Sequence, residues 1–147
     1  MLLIKSASKK DYIEIESFFQ HYKINELIKN RLNFNTIIAQ EDNKIVGLIQ
    51  WIVKEDPNQG VVELEELFVN PDFRSQGIGK KLVEKVLEII KTFYIDNNLT
   101  LRKVILYVKE DNKQARAIYE KFGFKENSNI GYLFSNDSKD LLYVLNI

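Results

Sequence analysis

The residues best suited to chemistry lie together in Arg74-Ser75-Gln76-Gly77-Ile78-Gly79-Lys80. An apolar strand ends just before them, Pro71 stops it, and a long amphipathic helix follows. A helix N-terminus presents unpaired backbone N–H groups and a positive dipole end, so glycines there let a phosphate approach the backbone closely. The pattern points to a phosphorylated ligand. It is no Walker loop, because Gly79-Lys80 is followed by Lys81 rather than Ser or Thr. It is no dinucleotide loop either, since three strands joined by hairpin-length turns precede it. The chain has no cysteine and one histidine, His21, which excludes disulfides, thiolate catalysis and ordinary zinc sites.

The elements around the loop follow from periodicity. Leu2 to Ala7 reads as a strand, and Ser8 with Asp11 as the capping start of a helix bearing Tyr12, Ile13, Ile15, Phe18, Phe19 and Tyr22. A second helical stretch is expected from Asn25 to Leu32. Thr36–Gln40 and Ile45–Val53 flank the turn Glu41-Asp42-Asn43-Lys44, a hairpin signal, and a third strand covers Val61–Val69. In that strand the apolar positions shift from Val62 and Leu64 to Leu67 and Val69. One extra residue at Glu65-Glu66, a β-bulge, restores a common face. The alternative is a strand buried on both faces, with Phe68 continuing the even series.

From Ile78, the positions Leu82, Val83, Val86, Leu87, Ile90 and Phe93 trace a helical stripe that Asp96-Asn97-Asn98 ends. Val104–Val108 reads as a buried strand. Asp111 or Asn112 caps a last helix with the stripe Ala115, Ile118, Tyr119 and Phe122, closed by Gly123 with Phe124 folded back. Strands near Phe124–Glu126 and Leu141–Leu145 complete the chain.

At 147 residues a single domain over 1–147 is expected. The 21 basic and 21 acidic residues cancel, so no global field favours nucleic acid or an anionic membrane. No apolar run is long enough to span a bilayer, and a cytoplasmic location is the expectation.

The loop Arg74-x-x-Gly77-x-Gly79, followed after a helix and a strand by Asn112, Ala115, Tyr119, Gly123 and Phe124, resembles the paired signature of the GNAT superfamily of acetyl-CoA-dependent N-acetyltransferases. The resemblance covers essentially the whole chain. It implies an α/β (α+β) fold: one mixed, mostly antiparallel sheet of six or seven strands with helices on both faces. It also implies acetyl transfer from acetyl-CoA to a primary amine, on a small cationic molecule or a protein amino group. No metal, nucleic acid or membrane is expected to take part, and the protein would be a monomer or a homodimer.

By the same resemblance, Ser75, Gln76, Gly77, Ile78, Gly79 and Lys80 hold the CoA pyrophosphate, with Arg74 adding charge. Leu67, Phe68 and Val69 line the pantetheine arm, which lies along the strand like an added one, and a backbone N–H there polarises the thioester carbonyl. Asn112, Ala115 and Tyr119 complete the cofactor set. Tyr119 donates to the departing sulfur. With a phenol pKa near 10 and a cysteine-like thiol near 8.5, full proton transfer is uphill by about 2 kcal/mol, so a strengthening hydrogen bond suffices. Position alone equally fits a core aromatic.

A lysine-like amine has a pKa near 10.4, so its neutral form costs about 4.6 kcal/mol at pH 7 and a base must take its proton. Glu65 and Glu66 are the better placed of the strand's glutamates, ahead of Glu63. Some relatives use a glutamate on the following strand, where this chain has Tyr107. A module that binds acetyl-CoA without turnover is the alternative to an enzyme. The acceptor would meet residues about 21–34 and 127–140, which carry no motif.

Overall fold

In the computed structural model, which describes residues 1–23 and 35–147, backbone pairing follows the periodicity closely. The strands are β1 (Leu2–Ser6), β2 (Asn35–Glu41), β3 (Lys44–Val53), β4 (Val61–Val69), β5 (Lys103–Lys109), β6 (Lys125–Gly131) and β7 (Asp140–Asn146). The α-helices among the described residues are α1 (Tyr12–His21), α2 (Ile78–Asp96) and α3 (Lys113–Lys121). The strands form one seven-stranded sheet in the order β1-β2-β3-β4-β5-β7-β6. The β4–β5 pair is parallel, whereas β1–β2, β2–β3, β5–β7 and β6–β7 are antiparallel. The expected helix over 25–32 lies outside the described residues. Among those described, no helix is long and apolar enough to cross a membrane.

The chain divides into two compact units, Met1–Trp51 with Glu66–Val86, and Ile52–Glu65 with Leu87–Ile147. In the first unit, the N–H and Oγ of Ser8 both donate to Asp11 Oδ2, at 2.8 and 3.0 Å, and set the entry to α1. Asp42 and Asn43 both take positive φ, 49° and 64°, as a two-residue hairpin turn requires. Ile15 and Phe18 of α1 pack with Ile38, Ile45 and Leu48.

Ile45 and Leu48 are three apart, an odd spacing for one face of a strand. The register explains it: Ala39 pairs with Gly47 but Gln40 with Ile45, so Val46 is an extra residue. Gly47 faces the other way. A Cβ there would lie 3.1 Å from Phe68 O, 3.3 Å from Leu82 Cδ1 and 3.5 Å from Ile78 Cγ2, so α1 and α2 cover opposite faces of this part of the sheet.

In the second unit, β4 pairs with β5 from Val61–Lys103 to Leu64–Leu106. The slip expected at Glu65-Glu66 falls just beyond these pairs, where the units divide. β5 is not buried on both faces as expected: Val104, Leu106 and Val108 are buried, but Tyr107 is 37% exposed. Along α2 the last stripe position belongs to Tyr94 rather than Phe93, since Ile90 and Tyr94, four apart, are both buried and Phe93 only partly so. Leu99 N donates to Tyr94 O at 2.9 Å around Asn98, whose φ is 55°, and ends the helix. Gly123, with φ 93°, ends α3 the same way, with Phe124 N donating to Tyr119 O at 3.2 Å.

Candidate active site

The glycine loop starts from the extra residue of β3. Asn70 N donates to Val46 O at 2.7 Å, and Asn70 Oδ1 accepts from Asp72 N at 2.9 Å. Pro71–Phe73 then make one 3-10 turn, which proline's fixed φ suits. Arg74 is extended (φ −69°, ψ 164°), Ser75 and Gly77 take φ of 62° and 76°, and Lys81 N donates to Gly77 O to open α2. The N–H groups of Ile78, Gly79 and Lys80 lie in the first turn, where no carbonyl precedes them in the helix. Left-handed residues next to a helix start turn successive N–H groups toward one anion site.

Two local facts bear on a ligand. Gly77 is exposed, and a Cβ built there meets no heavy atom within 4 Å. Packing therefore does not explain the glycine, whereas its positive φ does, and the backbone there stays open. Ser75 holds its left-handed conformation with a side chain, at a cost of about 1–2 kcal/mol.

Arg74 folds back. Its Nε donates to Val69 O at 3.0 Å, and its guanidinium sits 5.3 Å from the centre of the Phe68 ring. Phe68 in turn packs against Phe18 at 5.8 Å and Tyr22 at 5.0 Å. Phe68 is thus held by Phe18 of α1 and by Tyr22 just after the helix, an arrangement that local periodicity does not reveal. His21 is exposed and edge-on to Tyr22.

Tyr119 belongs to the second unit. Asn112, not Asp111, caps α3, its Oδ1 accepting from Ala115 N at 3.1 Å. Asn112 and Ala115 therefore set the start of the helix that carries Tyr119. Tyr119 is 4% exposed and lies edge-on to Phe124 at 5.6 Å, while Ala115, Ile118 and Phe122 are only half-buried. Periodicity missed the polar group on the same helix: Arg116 and Glu120 both bond the buried Tyr143 hydroxyl.

Of the glutamates, Glu63 is buried and paired with Lys54 at 3.3 Å, which ties it to structure. Glu65 and Glu66 are half-buried, and each has an interaction of its own. Tyr107 of β5 meets Phe134 edge-on at 5.2 Å. Phe134 belongs to a loop pinned from below by Asp140, which accepts from Leu133 N, Phe134 N and Lys109 Nζ at 3.1, 2.9 and 2.9 Å. Burial alone would raise the Asp140 pKa, but the Phe134 N–H, the Lys109 ammonium and the Leu133 N–H outweigh it and hold the carboxyl below its usual range.

Residues 4–124 match the acetyltransferase (GNAT) family, and the chain belongs to that family. A stretch of 93 residues, 60% of this chain and 38% of the relative, is 34% identical to an uncharacterised N-acetyltransferase of Methanocaldococcus jannaschii. A spermine/spermidine N(1)-acetyltransferase of Bacillus subtilis is 26% identical over 53% of this chain and 48% of its own length. The chain thus spans less than half of either relative. A GNAT-family acetyltransferase from Streptococcus pneumoniae superposes with a TM-score of 0.80 at 20% identity, covering 100% of this chain and 99% of that one. Naa50 of Arabidopsis thaliana, solved with the bisubstrate analogue CoA-Ac-MVNAL, gives 0.79 at 18% identity, covering 99% of each chain.

Proposed function

We propose that this chain transfers the acetyl group of acetyl-CoA to a primary amine, by direct attack within a ternary complex. The observation that carries this reading is the loop from Ser75 to Gly77, exposed, left-handed at Ser75 and Gly77, open above Gly77, and leading directly into the first turn of α2 at Ile78, Gly79 and Lys80. An anion with several oxygens fits convergent N–H groups at a helix start, and a pyrophosphate is such an anion. Acetyl-CoA supplies that group and the reactive thioester. Leu67, Phe68 and Val69 would flank its amide-bearing arm, helped by a slip at Glu65-Glu66, and one of their N–H groups would stabilise the developing oxyanion. Arg74 is tethered at Val69 O and adds positive charge at the loop's edge.

Tyr119 is the hydrogen-bond donor to the leaving sulfur, and Glu65 or Glu66 takes the amine proton, directly or through water. Asn112 and Ala115 act by fixing α3. We take 1–147 as one domain, because β4 and α2 each supply residues to both units. The acceptor is a small cationic amine or a protein amino group. The relative named for spermine and spermidine supports the first, and the peptide-bearing analogue in Naa50 the second.

The test is acetyl-CoA with a panel of polyamines, aminoglycosides and peptides, read by mass spectrometry of the product. The expected result is one acetylated class, with kcat falling about tenfold or more in Tyr119→Phe. Tight CoA binding by calorimetry without any product would make the chain a non-catalytic module. No product and no CoA binding would sink both.

A further inference from the structure

We propose that Tyr143 is a positioning residue for acetyl transfer: through Arg116 and Glu120 it sets the rotation of α3 and with it the place of Tyr119. The inference rests on Tyr119 being the donor to sulfur. Tyr143, on β7, is fully buried, and a phenylalanine would fill its ring space without a buried hydroxyl to satisfy. Its hydroxyl is instead held between two charged side chains of α3. It accepts from Arg116 Nε at 2.9 Å and donates to Glu120 Oε1 at 2.8 Å.

Arg116 and Glu120 are four residues apart, one turn of the same helix face. Two bonds to one fixed point restrain rotation about the helix axis as well as sliding along it. Arg116 adds two more ties, donating from Nη1 to Glu110 O at 2.7 Å and lying 3.7 Å from Glu126 through Nη2. Glu126 sits opposite Tyr143 in the β6–β7 register, so these ties converge on one region of the sheet.

The apolar side of α3 cannot set the angle as well. Among its stripe only Tyr119 is buried, with Ala115, Ile118 and Phe122 half-exposed. Tyr119 lies between the two clamped positions, one residue before Glu120 and three after Arg116. Burial raises the Tyr143 pKa, with Glu120 adding to it and Arg116 opposing, so the phenol keeps its proton and its donor role at neutral pH. The group to be aligned acts through a single hydrogen bond, and a shift of about 1 Å at such a bond costs up to about a hundredfold in rate.

The experiment pairs kinetics with a spectroscopic reading that does not depend on turnover. In Tyr143→Phe, kcat should fall about tenfold while KM for acetyl-CoA stays within about twofold. In a Tyr119→Phe background the same change should cost nothing further, because the residue it positions has gone. In protein labelled at tyrosine Cζ, the Tyr119 NMR signal, identified by its loss in Tyr119→Phe, should shift in Tyr143→Phe. Arg116→Gln and Glu120→Ala, altered on the outer side of the clamp, should show the same kinetic pattern and serve if Tyr143→Phe does not fold. Equal losses in both backgrounds, or an unmoved Tyr119 signal with unchanged kcat, would overturn the proposal. If wild type shows no transfer but the Tyr119 signal moves, the positioning stands and the transferase reading falls.

Discussion

In the loop of residues 70–77 the loop's own residues set the shape: the Asn70 side chain caps Asp72 N, Pro71 turns, and Ser75 and Gly77 take left-handed angles. In the loop of residues 132–139 side chains from elsewhere set it. Asp140 holds the Leu133 and Phe134 N–H groups, and Lys109 reaches Ser135 Oγ at 2.9 Å across 26 residues of sequence. The first loop leads into helix-start N–H groups that have no carbonyl partner within the helix. The second gives two of its N–H groups to the Asp140 carboxylate of β7 and turns Tyr132, Leu133 and Phe134 outward. One loop exposes backbone, the other exposes large apolar side chains.

The difference can be broken most strongly at Asp140. Asp140→Ala removes the acceptor shared by Lys109, Leu133 N and Phe134 N; Lys109 keeps Ser135 Oγ and Leu133 N keeps Gly131 O, so unfolding stability should fall by about 2 kcal/mol, measured with denaturant. Acid attacks the same point. The Asp140 carboxyl titrates below its usual range when folded, so its contribution is complete above the unfolded pKa of about 3.9 and is lost as pH falls through the lower folded value. Asp11 adds a second contribution of the same sign, its pKa lowered first by the Ser8 N–H bond. Stability should thus be flat with respect to these two groups above about pH 5 and drop below about pH 4, with a smaller acid limb in Asp140→Asn.

The glycine loop should respond in function more than in stability. Gly77→Ala forces a side chain into φ 76°, costing about 1 kcal/mol of stability by thermal unfolding, with CoA affinity reduced further by the side chain. Ser75→Gly should go the other way, gaining about 0.5 kcal/mol as the strain at φ 62° is relieved against glycine's added chain entropy. The sign difference between Ser75 and Gly77 would show that backbone angle limits these two positions of the loop.

The same contrast explains what the amino-acid order revealed. Local signals were legible: Ser8 with Asp11, the Asp42-Asn43 turn, the Pro71 stop, the Asn112 cap and the Gly123 end all appear at their expected places. Each needs only neighbours within a few residues. The succession of strands and helices followed from them, whereas the single mixed sheet came from the family resemblance and the order of strands within it shows only in the structure. The extra residue at Val46 was not legible, because a slip shows only in the register with β2, and Val46 is as apolar as its neighbours. Tyr94 displaced Phe93 in the stripe because a period of 3.6 allows either after Ile90. The clamp on Tyr143 and the pin at Asp140 join distant segments, although Arg116 and Glu120 at helical spacing were a visible hint.

The proposed chemistry depends first on backbone N–H groups at the start of α2 holding the CoA pyrophosphate. Its most direct test is an amide NMR titration of the wild-type chain with acetyl-CoA. Saturable shifts of the Gln76, Gly77, Ile78, Gly79 and Lys80 amides, lost in Gly77→Ala at the same concentration, are the predicted result. Acetyl-CoA binding that leaves those amides unmoved, or no binding at millimolar concentration, would contradict it.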